Sequence, residues 1–229
     1  MGNVNKRLSQ TQQPKAFVGP KKPEKPMNSN LSVWLLPGQN SPENKAFQTI
    51  LDDLAAKHGK STYLPHVTLA IVNFSPYTTD AERDELRQKV EAVLQEMKEE
   101  LFASRITFDH IFYNHVALIV EGRKDEKLLE LQKLFHAKIN KPLSVPWFPH
   151  FTLGYNEGGK EEKEADIKEL EDKALYRNSK LKSATEDPLT NGEGMELGGH
   201  NGYKIGAIYG AWCGDLKPEN WKIFLKLEE

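Results

Sequence analysis

Two histidine–threonine pairs recur at one spacing in strand-like settings. The stretch "YLPHVTLAIVNF" carries His66 and Thr68, and "FPHFTLGY" carries His150 and Thr152, each within the pattern Pro-His-apolar-Thr-Leu. A lone strand histidine is ordinarily structural; the repetition is what points to chemistry. Histidine is the side chain whose ordinary pKa lies near neutrality, so two of them can divide acid and base duties, one neutral and one protonated. Threonine hydroxyls donate to the oxygens of a tetrahedral anion and hold the negative charge that spreads during displacement at phosphorus. Side chains alternate along a strand, so His66 and Thr68 share a face opposite Val67 and Leu69, and His150 and Thr152 oppose Phe151 and Leu153. Four polar groups then converge in one cleft while the apolar residues enter a core. An in-line displacement, with attacking water and leaving oxygen on opposite sides of phosphorus, suits two histidines from facing strands.

The elements that must position these residues are readable around them. "LSVWLLP", Leu31 to Pro37, is a short apolar strand closed by proline. A helix follows, with Ser41 as N-cap, Pro42 at its first position, Phe47, Ile50, Leu51 and Leu54 on one face, and Gly59 ending it. After the first His-Thr strand, Leu86, Val90, Val93, Leu94 and Met97 mark a second helix. Two strands about Asn114 read as a hairpin. A third helix points Leu128, Leu131, Leu134 and Phe135 inward and leads to the second His-Thr strand. The order helix, loop, His-x-Thr strand thus occurs twice. The expected fold is α+β: antiparallel sheets flanked by helices, in two lobes related by an approximate two-fold axis, with a central cleft.

Composition bounds the rest. The 229 residues, 38% hydrophobic, suffice for one large domain or two small lobes. Lys plus Arg number 31 against 33 Asp plus Glu, a net −2, so there is no global basic field for a long nucleic-acid backbone. Cys213 is the single cysteine, which rules out an intramolecular disulfide or a multi-cysteine zinc site, fits a reducing, cytoplasmic setting, and reads as a buried structural thiol. No apolar run reaches the length of a membrane span. Residues 1–30 read as a disordered basic leader, and 31–229 as a single bilobal domain. Residues 157–203, an acidic-basic surface helix and a polar Gly-rich loop, read as an insertion with little apolar surface for docking. The final stretch reads as a hairpin with Ile205, Ile208, Tyr209, Trp212, Trp221, Ile223 and Leu225 available for packing.

With these motifs the chain resembles the 2H phosphoesterases, defined by two His-x-Thr/Ser motifs in pseudo-symmetric lobes, and within them the cyclic phosphodiesterases of plant and fungal type. "SVWLLP" with Trp34, "PHVTLA", "PHFTLGY" and "ENWKIFLKL" carry the resemblance, over roughly residues 31–156 and 204–227. It implies metal-independent, cofactor-free hydrolysis of a ribose cyclic phosphate, either the 1″,2″-cyclic phosphate of ADP-ribose or a nucleoside 2′,3′-cyclic phosphate opened to the 2′-phosphate. The implied partner is a small cyclic-phosphate nucleotide, and the implied state a monomer. By the same resemblance His150 is the base and His66 the acid, though pseudo-symmetry leaves either division chemically open. Thr68 and Thr152 hold the non-bridging oxygens, and Trp34 and Tyr155 contact ribose or base. Tyr155 lies five positions after His150, the wrong parity for the cleft, unless Gly154 supplies a bulge.

Two other functions fit the same residues: an enzyme that opens or trims RNA 2′,3′-cyclic ends with the same histidines, and a non-enzymatic nucleotide-binding module. The charge balance disfavours the first, and the presence of two proton-transfer groups disfavours the second. A metal site is not specified by two distant histidines without a carboxylate cluster. His58, His110, His115 and His136 read as surface or capping residues, and His200 as part of a glycine-rich loop.

Overall fold

A computed structural model describes residues 30–74, 78–141, 149–155, 158–178, 195–213 and 217–229. The leader expected over 1–30 lies almost wholly outside these residues, as do the loop before the second motif and the middle of the expected insertion. Strand β1 (Asn30–Pro37), helix α1 (Pro42–Lys57), β2 (Val67–Asn73) and α2 (Asp80–Phe102) come first. The hairpin β3 (Arg105–Tyr113) and β4 (Ala117–Gly122), then α3 (Glu126–Lys138), β5 (His150–Tyr155) and α4 (Lys160–Asp172) follow. The chain closes with β6 (Tyr176–Asn178), β7 (Met195–Leu197), β8 (Gly202–Cys213), a short 3-10 turn and β9 (Lys222–Glu228).

The local signals behave as their chemistry dictates. The Ser41 hydroxyl accepts the Asn44 amide at the start of α1, and Thr79 and Glu82 form a reciprocal capping box on α2. The Asn114 side chain accepts the amides of Val116 and Ala117 and tightens the β3–β4 turn. Helix α3 departs from expectation at one position. Its buried face is Leu128, Leu131, Gln132, Phe135 and His136, at helical spacing, which leaves Leu134 42% exposed. His136 is buried at the end of α3, with Nδ1 2.7 Å from the Lys141 carbonyl.

Seven strands form one sheet in the order β1-β2-β5-β4-β3-β8-β9, and β8 also pairs with β1. The circuit therefore closes. Residues Gly202–Lys204 of β8 pair with β3, and Ile205–Cys213 pair with β1. The duplication is plain in the pairing: β1-α1-β2 with β8 beside β1 corresponds to β4-α3-β5 with β3 beside β4. The halves share a single hydrophobic core, in which Phe47 meets both Phe108 and Phe151. Helix α1 packs on β5 and α3 packs on β2, so each helix supports the other half's motif strand.

The expected insertion is more firmly attached than its composition suggests. Tyr176, Met195 and Leu197, all within it, are buried in the core. Helix α4 docks through Leu170, and through charges that composition counted as surface. Asp166 is buried and meets Lys57 and His58 at 2.8 and 2.9 Å. Lys163, also buried, donates to the Gly158 carbonyl. Few apolar residues suffice when each of them enters the core. In the final hairpin Ile223 is exposed rather than packed, and Cys213 is half-buried.

The β3–β8 junction depends on one glycine. Gly202 has φ +139°, and a Cβ there would sit 2.0 Å from the Ile106 carbonyl oxygen. Gly202→Ala should therefore cost about 3 kcal/mol or more. Urea unfolding checks this, and an unchanged midpoint would show that the junction tolerates a side chain.

Candidate active site

The two motif strands meet at one antiparallel bridge, Val67 opposite Phe151. That register sets His66 alongside Thr152 and Thr68 alongside His150, about a local two-fold axis between Val67 and Phe151. Val67, Leu69, Phe151 and Leu153 are all buried in the core, so the four polar side chains occupy the opposite face. Each strand also carries an irregularity at the motif leucine. Val33 pairs with Ala70 and Trp34 with Thr68, skipping Leu69; Leu118 pairs with Gly154 and Ile119 with Thr152, skipping Leu153. The second bulge resolves the parity of Tyr155, whose ring lies 5.6 Å from that of Tyr63 beside the motif.

His66 is buried in an aromatic setting. It stacks on Trp34 with ring centroids 4.4 Å apart and planes at 23°, and Tyr63 and Trp221 stand edge-on to it. Its Nδ1 lies 2.7 Å from the Leu64 carbonyl, so in the neutral ring Nδ1–H donates there and Nε2 carries the lone pair. Burial, and secondarily the charge of His150, hold its pKa down to about 4 despite the Leu64 carbonyl, which favours protonation.

Trp34 is buried beneath His66 and donates Nε1–H to Ser32 Oγ at 2.8 Å. The sequence reading sets Trp34 against ribose or base; in the structure its ring is buried and stacked on His66. Its cross-strand partner is Thr68, and the equivalent partner of Thr152 is Ile119. Tyr63 and Trp221 are the residues that sequence reasoning missed. Tyr63 donates its hydroxyl to the Thr152 carbonyl at 3.0 Å, while the Tyr155 hydroxyl interacts with the Thr152 side chain. Trp221 touches Trp34, Tyr63, His66 and Tyr155. Burial raises the pKa of both tyrosines, which keeps them neutral donors.

A cavity of about 470 Å³ adjoins this cluster through Tyr63 and Tyr155. Leu54, Val116 and Leu118 give it apolar walls, Lys60 and Lys217 basic ones and Asp166 and Glu219 acidic ones, and none of the four motif residues lines it. His58, at the end of α1, lies at its edge between Glu162 and Asp166, both at 2.9 Å. His200 is in a turn with its ring edge-on to Phe47. Among the described residues no group of three or more His, Cys, Asp or Glu is arranged to hold a metal, and no helix is long and apolar enough to cross a membrane.

Paired His-x-Thr strands about a local two-fold axis, on an α+β fold, are the arrangement of a 2H phosphoesterase. Residues 27–199 match the family described as cyclic phosphodiesterase-like protein, a span that runs through the expected insertion. The chain belongs to this family, and so to the phosphodiesterases. Among solved structures it is similar to E. coli LigT complexed with 3′-AMP, at 11% identity over 87% of this chain and 97% of that one, with a TM-score of 0.47. It is also similar to the MHV ns2 PDE domain, at 20% identity over 57% of this chain and 86% of that one, with a TM-score of 0.41. No curated protein matches the sequence.

The lowered His66 pKa has a consequence for stability. An unfolded chain takes up this proton below the ordinary 6.5, and the folded chain only near 4. Stability tied to neutral His66 is thus fully present above pH 6.5 and is lost as pH falls toward 4, by about 3 kcal/mol in all. Urea unfolding across that window should show a shallower pH slope for His66→Asn than for wild type, and parallel slopes would refute the burial argument.

Proposed function

We propose that the chain hydrolyses ribose cyclic phosphates, with His66 and His150 as the proton-transfer pair. One histidine takes a proton from water as its oxygen attacks phosphorus. The other gives a proton to the departing ribose oxygen as the P–O bond breaks, and the product is a ribose phosphomonoester. Thr68 and Thr152 donate to the two non-bridging oxygens, whose charge grows in the transition state. Tyr155 and Trp221 flank the sugar or base. The Val67–Phe151 register carries this reading, because it brings two acid-base groups and two hydroxyls to one face with two-fold symmetry. A cyclic phosphate has that symmetry itself, with two ester oxygens and two non-bridging oxygens around phosphorus.

The adjoining cavity supports a substrate larger than a mononucleotide. Lys60 and Lys217 stand on its wall together with Asp166 and Glu219, and its leucines suit a base, such as the adenine that the 1″,2″-cyclic phosphate of ADP-ribose carries. Nucleoside 2′,3′-cyclic phosphates would call on the motif face alone. The near-zero net charge gives no basic track for long RNA.

His66→Ala and His150→Ala should each lower turnover of these cyclic phosphates roughly 10²–10⁴-fold with unchanged circular dichroism. Near-normal turnover in either variant sinks the assignment. Activity should persist in EDTA, and phosphorus NMR should identify a 2′-phosphate from the nucleoside substrates. Loss on chelation with recovery on adding a divalent metal would replace the reading with a metal-dependent one.

A further inference from the structure

The loop that enters β2 holds one group from each motif. Leu64 offers its carbonyl to His66 Nδ1 at 2.7 Å, and the adjacent Tyr63 reaches across to the other motif strand, where its hydroxyl donates to the Thr152 carbonyl at 3.0 Å. The backbone pairing of β2 with β5 is the bridge of Val67 and Phe151, so Thr152 stands one residue past it. The Tyr63 hydroxyl adds a bond across that joint. Thr152 is almost wholly buried and is engaged through its side chain as well, which interacts with the Tyr155 hydroxyl. A threonine hydroxyl can accept one such bond and still donate its own proton, so contact with Tyr155 leaves Thr152 able to donate to phosphate. Tyr63 is itself held on several sides. Gln48 of α1 donates to its carbonyl at 3.2 Å, and its ring lies 5.6 Å from Tyr155, 5.7 Å from Trp221 and 6.0 Å, edge-on, from His66.

Resting on the proposed function, we propose that Tyr63 is a positioning residue for Thr152: its hydroxyl, reaching from the loop of the first motif, holds the backbone of the second and so keeps the Thr152 hydroxyl aimed at a non-bridging oxygen. Carbonyl and side chain belong to one residue, so a shift of the first turns the second with it. Donation to a developing anion is steep in geometry, and a donor displaced by a fraction of an ångström loses much of its effect. Thr68 lies on the strand that follows Tyr63 in the chain. The contact therefore sets the second threonine relative to the whole first motif. Removing the hydroxyl alone spares the ring, so the aromatic packing about His66 remains and the loss is confined to what Thr152 does. Bonds to the non-bridging oxygens strengthen as their charge grows, so that loss falls on kcat more than on KM.

The test uses the full chain, a nucleoside 2′,3′-cyclic phosphate, and a double-mutant cycle of Tyr63→Phe with Thr152→Val. Tyr63→Phe alone should lower kcat about 10-fold with KM changed by less than about two-fold. Thr152→Val alone should lower kcat about 10²–10³-fold, the range for loss of one donor to a developing anion. The double variant should be no slower than Thr152→Val, because a residue that acts through Thr152 then has nothing left to act on. Combined instead with Thr68→Val, Tyr63→Phe should again cost about 10-fold. Persistence of the Tyr63 effect in the Thr152→Val background, its loss in the Thr68→Val background, or a wild-type kcat in Tyr63→Phe overturns the proposal. A merely structural role would slow every background alike, and thermal melts of the variants control for folding. Failure of the proposed function is a separate result, in which His66→Ala and His150→Ala both keep the wild-type turnover.

Discussion

The site rests on a single backbone register, Val67 against Phe151. A slip of one residue between β2 and β5 would turn every side chain on the moving strand to the other face, burying a histidine and a threonine and exposing two core residues. The core therefore enforces the chemistry. Val67, Leu69, Phe151 and Leu153 are wholly or almost wholly excluded from water, and the free energy of keeping them there is what aims His66, Thr68, His150 and Thr152 outward. Tyr203 strengthens the arrangement from below, since its buried hydroxyl donates to the Leu35 carbonyl at 2.8 Å, beside the residue that pairs with Val67.

The proposed chemistry draws on both the symmetry of the motif strands and the departures from it. A cyclic phosphate needs two equivalent approaches to phosphorus, and the matching bulges at Leu69 and Leu153 show how closely the two motif strands agree. General acid-base catalysis needs the opposite, two histidines in different protonation states at one pH. The departures from symmetry are concentrated in the residues next to the motifs. Trp34 corresponds to Ile119 and Leu36 to Glu121, so the strands can stay superimposable while the environments diverge.

Much of this was legible in the sequence because it depends on local periodicity. Strand alternation alone gives the common face of His66 and Thr68, and helical spacing gives the buried faces of α1 and α2. Tyr155 was legible as a conflict of parity, and the bulge that resolves it falls at Leu153, next to the Gly154 to which the sequence pointed. Partners that are distant in the chain were not legible. Tyr63 precedes the motif in a loop without periodicity, and Trp221 immediately precedes the terminal strand; Trp221 reaches the site only because β9 is carried toward β2 by β8 and β1. Leu134 was misread because a leucine-rich helix offers more apolar positions than its buried face can use. The charges of α4 were misread because composition cannot show that Asp166 finds Lys57 and His58 in the interior.

A one-pair bridge between β2 and β5 is a weak joint by itself, and the long strand β8 compensates. It begins in one half of the molecule beside β3 and continues in the other beside β1, so the two halves are joined at opposite ends of the circuit. Opening the cleft by swinging the halves apart would have to break the β3–β8 pairing or the Val67–Phe151 bridge, and would separate Phe47 from Phe108 and Phe151 in the shared core. Helices α1 and α3, each laid across the other half's motif strand, oppose the same motion. The four polar groups are thus preorganised by the closed sheet. That is the arrangement in which fixed dipoles stabilise a transition state without reorganising at the moment of reaction.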